Sequence, residues 1–208
     1  MFEIILGSFV LSLTHALIPN HWFPLVAISR TERWTREEAM KVTAITGFAH
    51  TTSTIIIGLL IGFIGYKLSS TLELFTNLIA PALLVLLGLI YIILNFTTKH
   101  EHKHINEKAA KGKSKFAIIA TLGTAMFFSP CLEIEAYYLN AGAHGWMGVT
   151  ILSVIYLTVT VVFLVILVDL GRKSLDKLKD KLHILEKYEK LITGSVLIVL
   201  GVFTYFFK

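Results

Sequence analysis

Residues 2–28 read FEIILGSFVLSLTHALIPNHWFPLVAI. A helix of that length crosses a hydrocarbon core of about 30 Å. Yet the run carries His15 and His21 and is interrupted by Pro19 and Pro24. An ionisable side chain inside hydrocarbon costs free energy unless it faces a cavity, a partner or an ion. A proline inside a helix removes a backbone hydrogen bond and bends the chain. The stretch is therefore predicted to be a broken membrane helix carrying polar function. It does not read as a signal peptide. It lacks a basic leading region and a small-x-small cleavage site, and its histidines stand where an apolar region belongs.

Five further apolar runs follow, at 42–66, 72–96, 116–143, 146–168 and 191–207, the last close to the lower limit for a crossing. The composition agrees with a membrane protein. Of the 208 residues, 55% are hydrophobic and 16% charged, against about 25% charged in an ordinary soluble domain. A soluble enzyme and a disordered chain are both disfavoured. A single cysteine, Cys131, excludes an intramolecular disulfide and any paired-cysteine chemistry. The net charge of +5 has no aromatic-interleaved basic patch beside it, so nucleic acid is not an expected partner.

The basic residues instead report orientation. Arg30, Arg33, Arg36 and Lys41 follow the first run, and six lysines from Lys99 to Lys115 follow the third. Seven more, from Arg172 to Lys190, follow the fifth, which places 17 of the 19 basic residues in alternate loops. Positive-inside sorting puts these loops in the cytoplasm and both termini outside, with the chain as a multi-pass protein of the cell membrane. Within 172–190, Leu175, Leu178, Leu182 and Leu185 recur at helical spacing, as in an amphipathic helix along the inner membrane face or an extension of a neighbouring span.

The expected fold is all-α: one transmembrane bundle over 1–208, with six helices in two inverted three-helix halves. Residues 1–98 form the first half and 116–208 the second, with the amphipathic segment 172–190 inside the second. A cytoplasmic His/Lys-rich loop, 99–115, joins them. Each half opens on a broken helix: the first at Pro19, the second, in the run Ser129-Pro130-Cys131-Leu132-Glu133-Ile134-Glu135, at Pro130. Inverted repeats of this kind commonly place discontinuous helices around a site at the membrane midplane.

The polar residues inside the spans are the candidates for that site. Imidazole, carboxylate and thiolate are ligands for borderline and soft metal ions, and the predicted ligands are His15, His21, His50, Glu133, Glu135 and Cys131. On a straight helix His15 and His21 would point about 120° apart and lie about 9 Å apart along the axis. They converge only across a break, which Pro19 supplies. Asn20, Thr51 and Ser129 are expected around the ligands. The hydroxyls after His50 either orient its ring or bond back to helix carbonyls. Asp169 reads as an interfacial anchor and His144 as an outer-side residue. Gly58 and Gly62 form a GxxxG spacing suited to close helix contact. His100, His102 and His104, in the cytoplasmic loop, are a weak metal-capture run.

These motifs resemble the nickel/cobalt efflux permease-like family of the lysine-exporter superfamily. The resemblance lies in His15, Leu17, Pro19 and His21 of the first helix, in the His50-Thr51 pair of the second, and in the mid-chain His-rich loop. It covers the six-span plan over nearly the whole chain. Ser129-Pro130-Cys131 is also similar to the Pro-Cys turn of the membrane thiol-electron carriers in that superfamily, but those use two cysteines. Ile18 stands where the efflux pattern has an acid, and Asn20 where the uptake permeases have one.

The reading that follows is a secondary transporter, with export favoured, of a divalent transition-metal cation. The resemblance implies nickel or cobalt; zinc fits the ligand types as well. The metal is cargo and no prosthetic group is expected. Protons are the expected coupling ion, because the ligands must lose protons to bind metal. The alternatives are a membrane-embedded metal-dependent enzyme using the same His/Glu cluster, a proton-coupled exporter of a small organic solute, and a structural subunit. No HExxH spacing supports the enzyme, and oligomeric state is not legible.

Overall fold

The computed structural model describes residues 1–97 and 114–206, and between 174 and 186 the backbone alone. Within that range the chain is all-α. The helices are α1 (Phe2–Leu17), α2 (Pro19–Thr31), α3 (Arg36–Thr71), α4 (Ala80–Thr97), α5 (Lys115–Phe127), α6 (Leu132–Ala143) and α7 (Gly145–Phe206). A π-helical turn, Phe75–Ile79, leads into α4. It ends just before Pro81, whose missing N–H and bulky ring disturb the regular ladder one turn upstream. The run His100, His102 and His104 lies outside the described residues, as do the side chains of 174–186.

Among the described residues, four stretches are long and apolar enough to cross a membrane: Arg36–Thr71, Phe75–Thr97 and two parts of α7, Gly145–Lys173 and Lys187–Phe206. Two bent pairs, α1 with α2 and α5 with α6, meet the same test when each is taken as one span. The molecule is thus a multi-pass helical bundle with two broken helices. Large apolar side chains such as Phe48, Leu60, Ile93, Phe96 and Val199 point outward. In water they would form adhesive patches; on helices of this length they meet lipid.

Local sequence explains where the helices start and break. Thr35 and Glu38 form a capping box at the head of α3: Glu38 N–H donates to the Thr35 hydroxyl and Thr35 N–H to the Glu38 carboxylate. The cap starts α3 six residues before the apolar run 42–66. Ser114 caps α5 in a simpler way. Ile18 is extended (φ −65°, ψ 129°), as a residue before proline prefers, and Pro19 then opens α2 without losing a usable N–H. The two axes differ by 41°. In the second half, Phe128 to Cys131 is non-helical around Pro130, and α6 leaves α5 at 50°.

The core is built where helices cross. Ile4 and Leu11 of α1, Leu84 of α4, Ile134 and Tyr137 of α6, and Leu152, Tyr156 and Leu197 of α7 form its main cluster. A second cluster joins Trp22 and Val26 of α2 to Leu164 and Val168 of α7. One end is tied by charge. Arg36 grips Asp169 through two hydrogen bonds of 2.7 and 3.0 Å, Lys173 pairs with the same carboxylate, and Lys115 of α5 pairs with Glu38. Arg172 donates to the Trp34 carbonyl at 2.7 Å.

The closest crossing is α3 against α6, the helices that carry His50 and the residues just after Cys131. Gly58 lies under the Tyr138 ring, Gly142 faces the backbone of Gly62, and Gly65 lies under the Leu139 carbonyl. The Gly58–Gly62 spacing therefore serves contact within the chain. A methyl group on Gly142 would sit 2.1 Å from the Gly62 carbonyl oxygen, where the obstacle is backbone and cannot rotate aside. Gly142→Ala is expected to destabilise the protein by about 2 kcal/mol or more. Gly123→Ala, which meets nothing within 4 Å, is expected to be neutral or to add up to about 1 kcal/mol through helix propensity. Thermal unfolding of the two variants in detergent checks this.

Candidate metal centre

The two helix breaks face each other, and the side chains beside them converge. His15 leaves the last turn of α1 and His21 the first turn of α2. His50 comes from the middle of α3, and Cys131 is the residue that begins α6. Each of the four offers one ligand atom, and these atoms all lie within 4.8 Å of one another. His15, His50 and Cys131 are buried; His21 is half-buried. The break at Ile18 makes this possible, since it brings the His15 and His21 rings to a centroid distance of 4.6 Å. The His21 ring is equally close to that of His50.

Hydrogen bonds on the outer ring nitrogens decide what the inner ones can do. His50 Nδ1 lies 3.0 Å from the Met126 carbonyl oxygen. A carbonyl only accepts, so Nδ1 carries the proton and Nε2 of the neutral ring carries a lone pair. His15 Nδ1 lies 3.1 Å from Glu133 Oε1, an acceptor in its ionised form. In the neutral ring its Nε2 likewise presents a lone pair. The two Nε2 atoms are 3.3 Å apart, and Cys131 Sγ is 3.4 Å from one and 3.3 Å from the other. Acceptors held this close repel unless a proton or a cation stands among them.

The spacing suits a metal ion. Metal–nitrogen bonds of about 2.0–2.1 Å and metal–sulfur bonds of about 2.3 Å put tetrahedral ligand atoms roughly 3.3–3.6 Å apart. Three imidazoles and a thiolate are donors for zinc, cobalt, nickel or copper, and a poor set for magnesium or calcium, which take oxygen. The charge also fits. A Cys131 thiolate and the Glu133 carboxylate together balance a dication.

Glu133 sits one bond behind the donors. One of its oxygens accepts a hydrogen bond from His15 Nδ1–H and the other accepts from the Tyr91 hydroxyl, each at 3.1 Å. This is the carboxylate–histidine arrangement that fixes a ligand's ring and raises its basicity. Of the expected ligands, the two glutamates stand outside the group of four whose ligand atoms converge. Glu135 is buried, and neither of its oxygens has a hydrogen-bond partner. It lies one helical turn beyond Cys131, because α6 is regular after its first residue. Thr51 bonds back to the Gly47 and Phe48 carbonyls and leaves the His50 ring to Met126. Asn20 turns away from the ligands to Glu189. His144 bonds the Asn140 carbonyl at the far end of α6.

Several residues of the centre carry weaker sequence signals. Tyr156 places its hydroxyl 3.4 Å from His50 Nε2 and 3.9 Å from Cys131 Sγ, and Tyr91 holds Glu133. Tyr91 stands five residues from the end of the run 72–96, while Tyr156 stands in the middle of the run 146–168, away from the interfaces where tyrosine usually sits. That position was the available signal. The Met126 carbonyl has none, because it is freed by the break rather than encoded in a side chain.

A cavity of about 220 Å³ reaches this centre. His15, His21, Cys131 and Glu133 line its inner part, Ser129 and Pro130 form the wall at the second break, and Glu189 and Lys190 of α7 lie on it as well. Three of the four donors, His15, His21 and Cys131, thus border this cavity.

Detergent-purified protein is expected to bind one cobalt(II) per chain and to show the near-ultraviolet absorption of a cobalt–thiolate bond. Cys131→Ser should abolish that band, and Glu133→Gln should retain it while weakening affinity by about 10- to 100-fold. Titration followed by absorbance checks both. Comparison of the chain with protein-family models, with curated proteins and with solved structures finds no match, so the donor set and its surroundings are what a functional reading rests on.

Proposed function

We propose that this protein is a secondary transporter that moves a divalent transition-metal cation across the membrane by way of the His15, His21, His50 and Cys131 cluster. The observation that carries the reading is the position of the cluster: it joins both helix breaks, inside a multi-pass bundle, at the end of a cavity. A structural ion would be served by rigid, uninterrupted helices and a sealed shell. Donors mounted on two breaks are donors whose spacing changes when either half tilts.

In this reading the six spans form two inverted halves, with α1 and α2 as one span and α5 and α6 as another. The basic loops face the cytoplasm and both termini lie outside. The cavity, lined by Glu189 and Lys190 from the inner end of the last span, is then open to the cytoplasm, which favours export. The cation sheds water as it passes from the cavity to the imidazoles and the thiolate. Binding displaces the proton held among the four donors, and return of a proton favours release. Protons are thus the coupling ion. Nickel or cobalt is the preferred cargo on the resemblance of the first two spans, and zinc on the chemistry of the donors.

Reconstituted in proteoliposomes, the wild type is expected to move cobalt, nickel or zinc but not magnesium or calcium. His50→Ala and Cys131→Ala should each reduce flux at least tenfold, while the same preparations stay folded. Metal-selective fluorescent dyes inside the vesicles report the result. Flux that ignores metal type, or survives both substitutions, overturns the reading.

A further inference from the structure

We infer that Glu135 is the release ligand of the metal pathway, the carboxylate that takes the cation from the four donors on the side away from the cavity. The inference rests on the transport reading above and gives the ion its next station.

The position follows from the helices that carry the donors. Of α6, only Leu132 and Glu133 border the 220 Å³ cavity, and of α1 only His15. Both helices extend from the centre away from that space. Glu135 stands four residues after Cys131, on the same face of α6 and about 6 Å further along its axis. Past that point α6 is held against the other two ligand helices. Tyr137 Oη donates to the Glu3 carbonyl of α1 at 3.1 Å, and Gly142 meets Gly62 of α3. Glu135 therefore lies inside the bundle, between the centre and the α3–α6 crossing, with 5% of its surface exposed. Ser8, seven residues before His15 on the ligand-bearing face of α1, is fully buried.

Neither Glu135 oxygen has a hydrogen-bond partner among the described residues, and neither has the Ser8 hydroxyl. A buried carboxyl group left in that state destabilises a fold, and inside a membrane span it marks an ion pathway. Glu135 is not needed to orient a donor. Glu133 does that for His15 and the Met126 carbonyl for His50. An ion held by three imidazoles and a thiolate leaves slowly if it must drop every donor at once. Passage needs a neighbouring site that binds it less tightly. Carboxylate oxygen is a weaker donor than imidazole or thiolate for zinc, cobalt and nickel. Its negative charge also replaces that of the thiolate as the ion moves one helical turn.

The test separates binding, net transport and exchange in Glu135→Gln, which keeps the shape of the side chain. In detergent this variant is expected to take up cobalt(II) with the wild-type thiolate band and a Kd within about twofold of wild type. In proteoliposomes, net cobalt flux should fall about tenfold or more, and so should exchange of radioactive cobalt at equal concentrations on both sides. Glu135→Asp should recover part of both. Wild-type flux in Glu135→Gln overturns the release role alone. A Kd weakened by more than about tenfold overturns it too, since Glu135 would then support the four donors themselves. So does lost net flux with exchange intact, the signature of a group that carries a proton and never the metal. A wild type that binds cobalt but moves none overturns the transport reading, and the release role with it.

Discussion

A backbone carbonyl can accept a hydrogen bond but never donate one. That constraint, applied at Met126, organises the centre of this protein. It commits His50 Nδ1 to its proton and turns the lone pair of Nε2 toward Cys131. Glu133 does the same for His15. Two ring nitrogens and a sulfur are then held at 3.3–3.4 Å, with the Tyr156 hydroxyl 3.4 Å from His50 Nε2. A cation placed among them would be met by donors from both helix breaks. The two breaks, the close α3–α6 crossing and the core around Tyr137 and Tyr156 all bear on holding those three atoms there.

The breaks have a second consequence. A helix interrupted in hydrocarbon leaves carbonyls without intrahelical partners, at considerable cost unless they find donors. At the end of α5, the Met126 carbonyl takes the Ser129 N–H and the His50 ring. The second break is thus stabilised by a ligand of the first half. The first break is bridged in turn by Cys131, which approaches His15 from the second half. Each discontinuity depends on a side chain from the opposite half, so the halves are coupled at the point where the ion is expected to bind.

Much of this plan is legible in the sequence because it follows from one-dimensional rules. The apolar runs and the prolines at 19 and 130 set the spans and the breaks. Histidines inside such runs have few uses other than an ion, a proton or a partner. Register between helices is not legible. Glu133 and Cys131 are two residues apart, and sequence alone does not decide which of them faces His15 through its inner or outer nitrogen. The carboxylates look like better ligands than a solitary cysteine, which commonly packs as a small apolar group. The structure instead gives the thiol the inner position and Glu133 the outer one, because Cys131 stands at the start of α6 before the helix turns Glu133 toward Tyr91. Thr51 was ambiguous for a similar reason. Its hydroxyl bonds back along α3, a choice open to any threonine on a helix. Tyr156, Tyr91 and Glu189 enter only through packing between spans.

Where Gly62 meets Gly142, α3 and α6 touch backbone to backbone. A swing about that point, in the manner of scissors about a rivet, is the relative movement that such a contact would permit. Along each helix the blades are long: His50 and Cys131 lie twelve and eleven residues from the rivet, roughly 17 Å at about 1.5 Å per residue. A swing of about 10° would part their donor atoms by roughly 3 Å, more than the length of a metal–ligand bond. A bundle packed this tightly at one crossing would thereby concentrate a small angular change into the opening or closing of the proposed metal site.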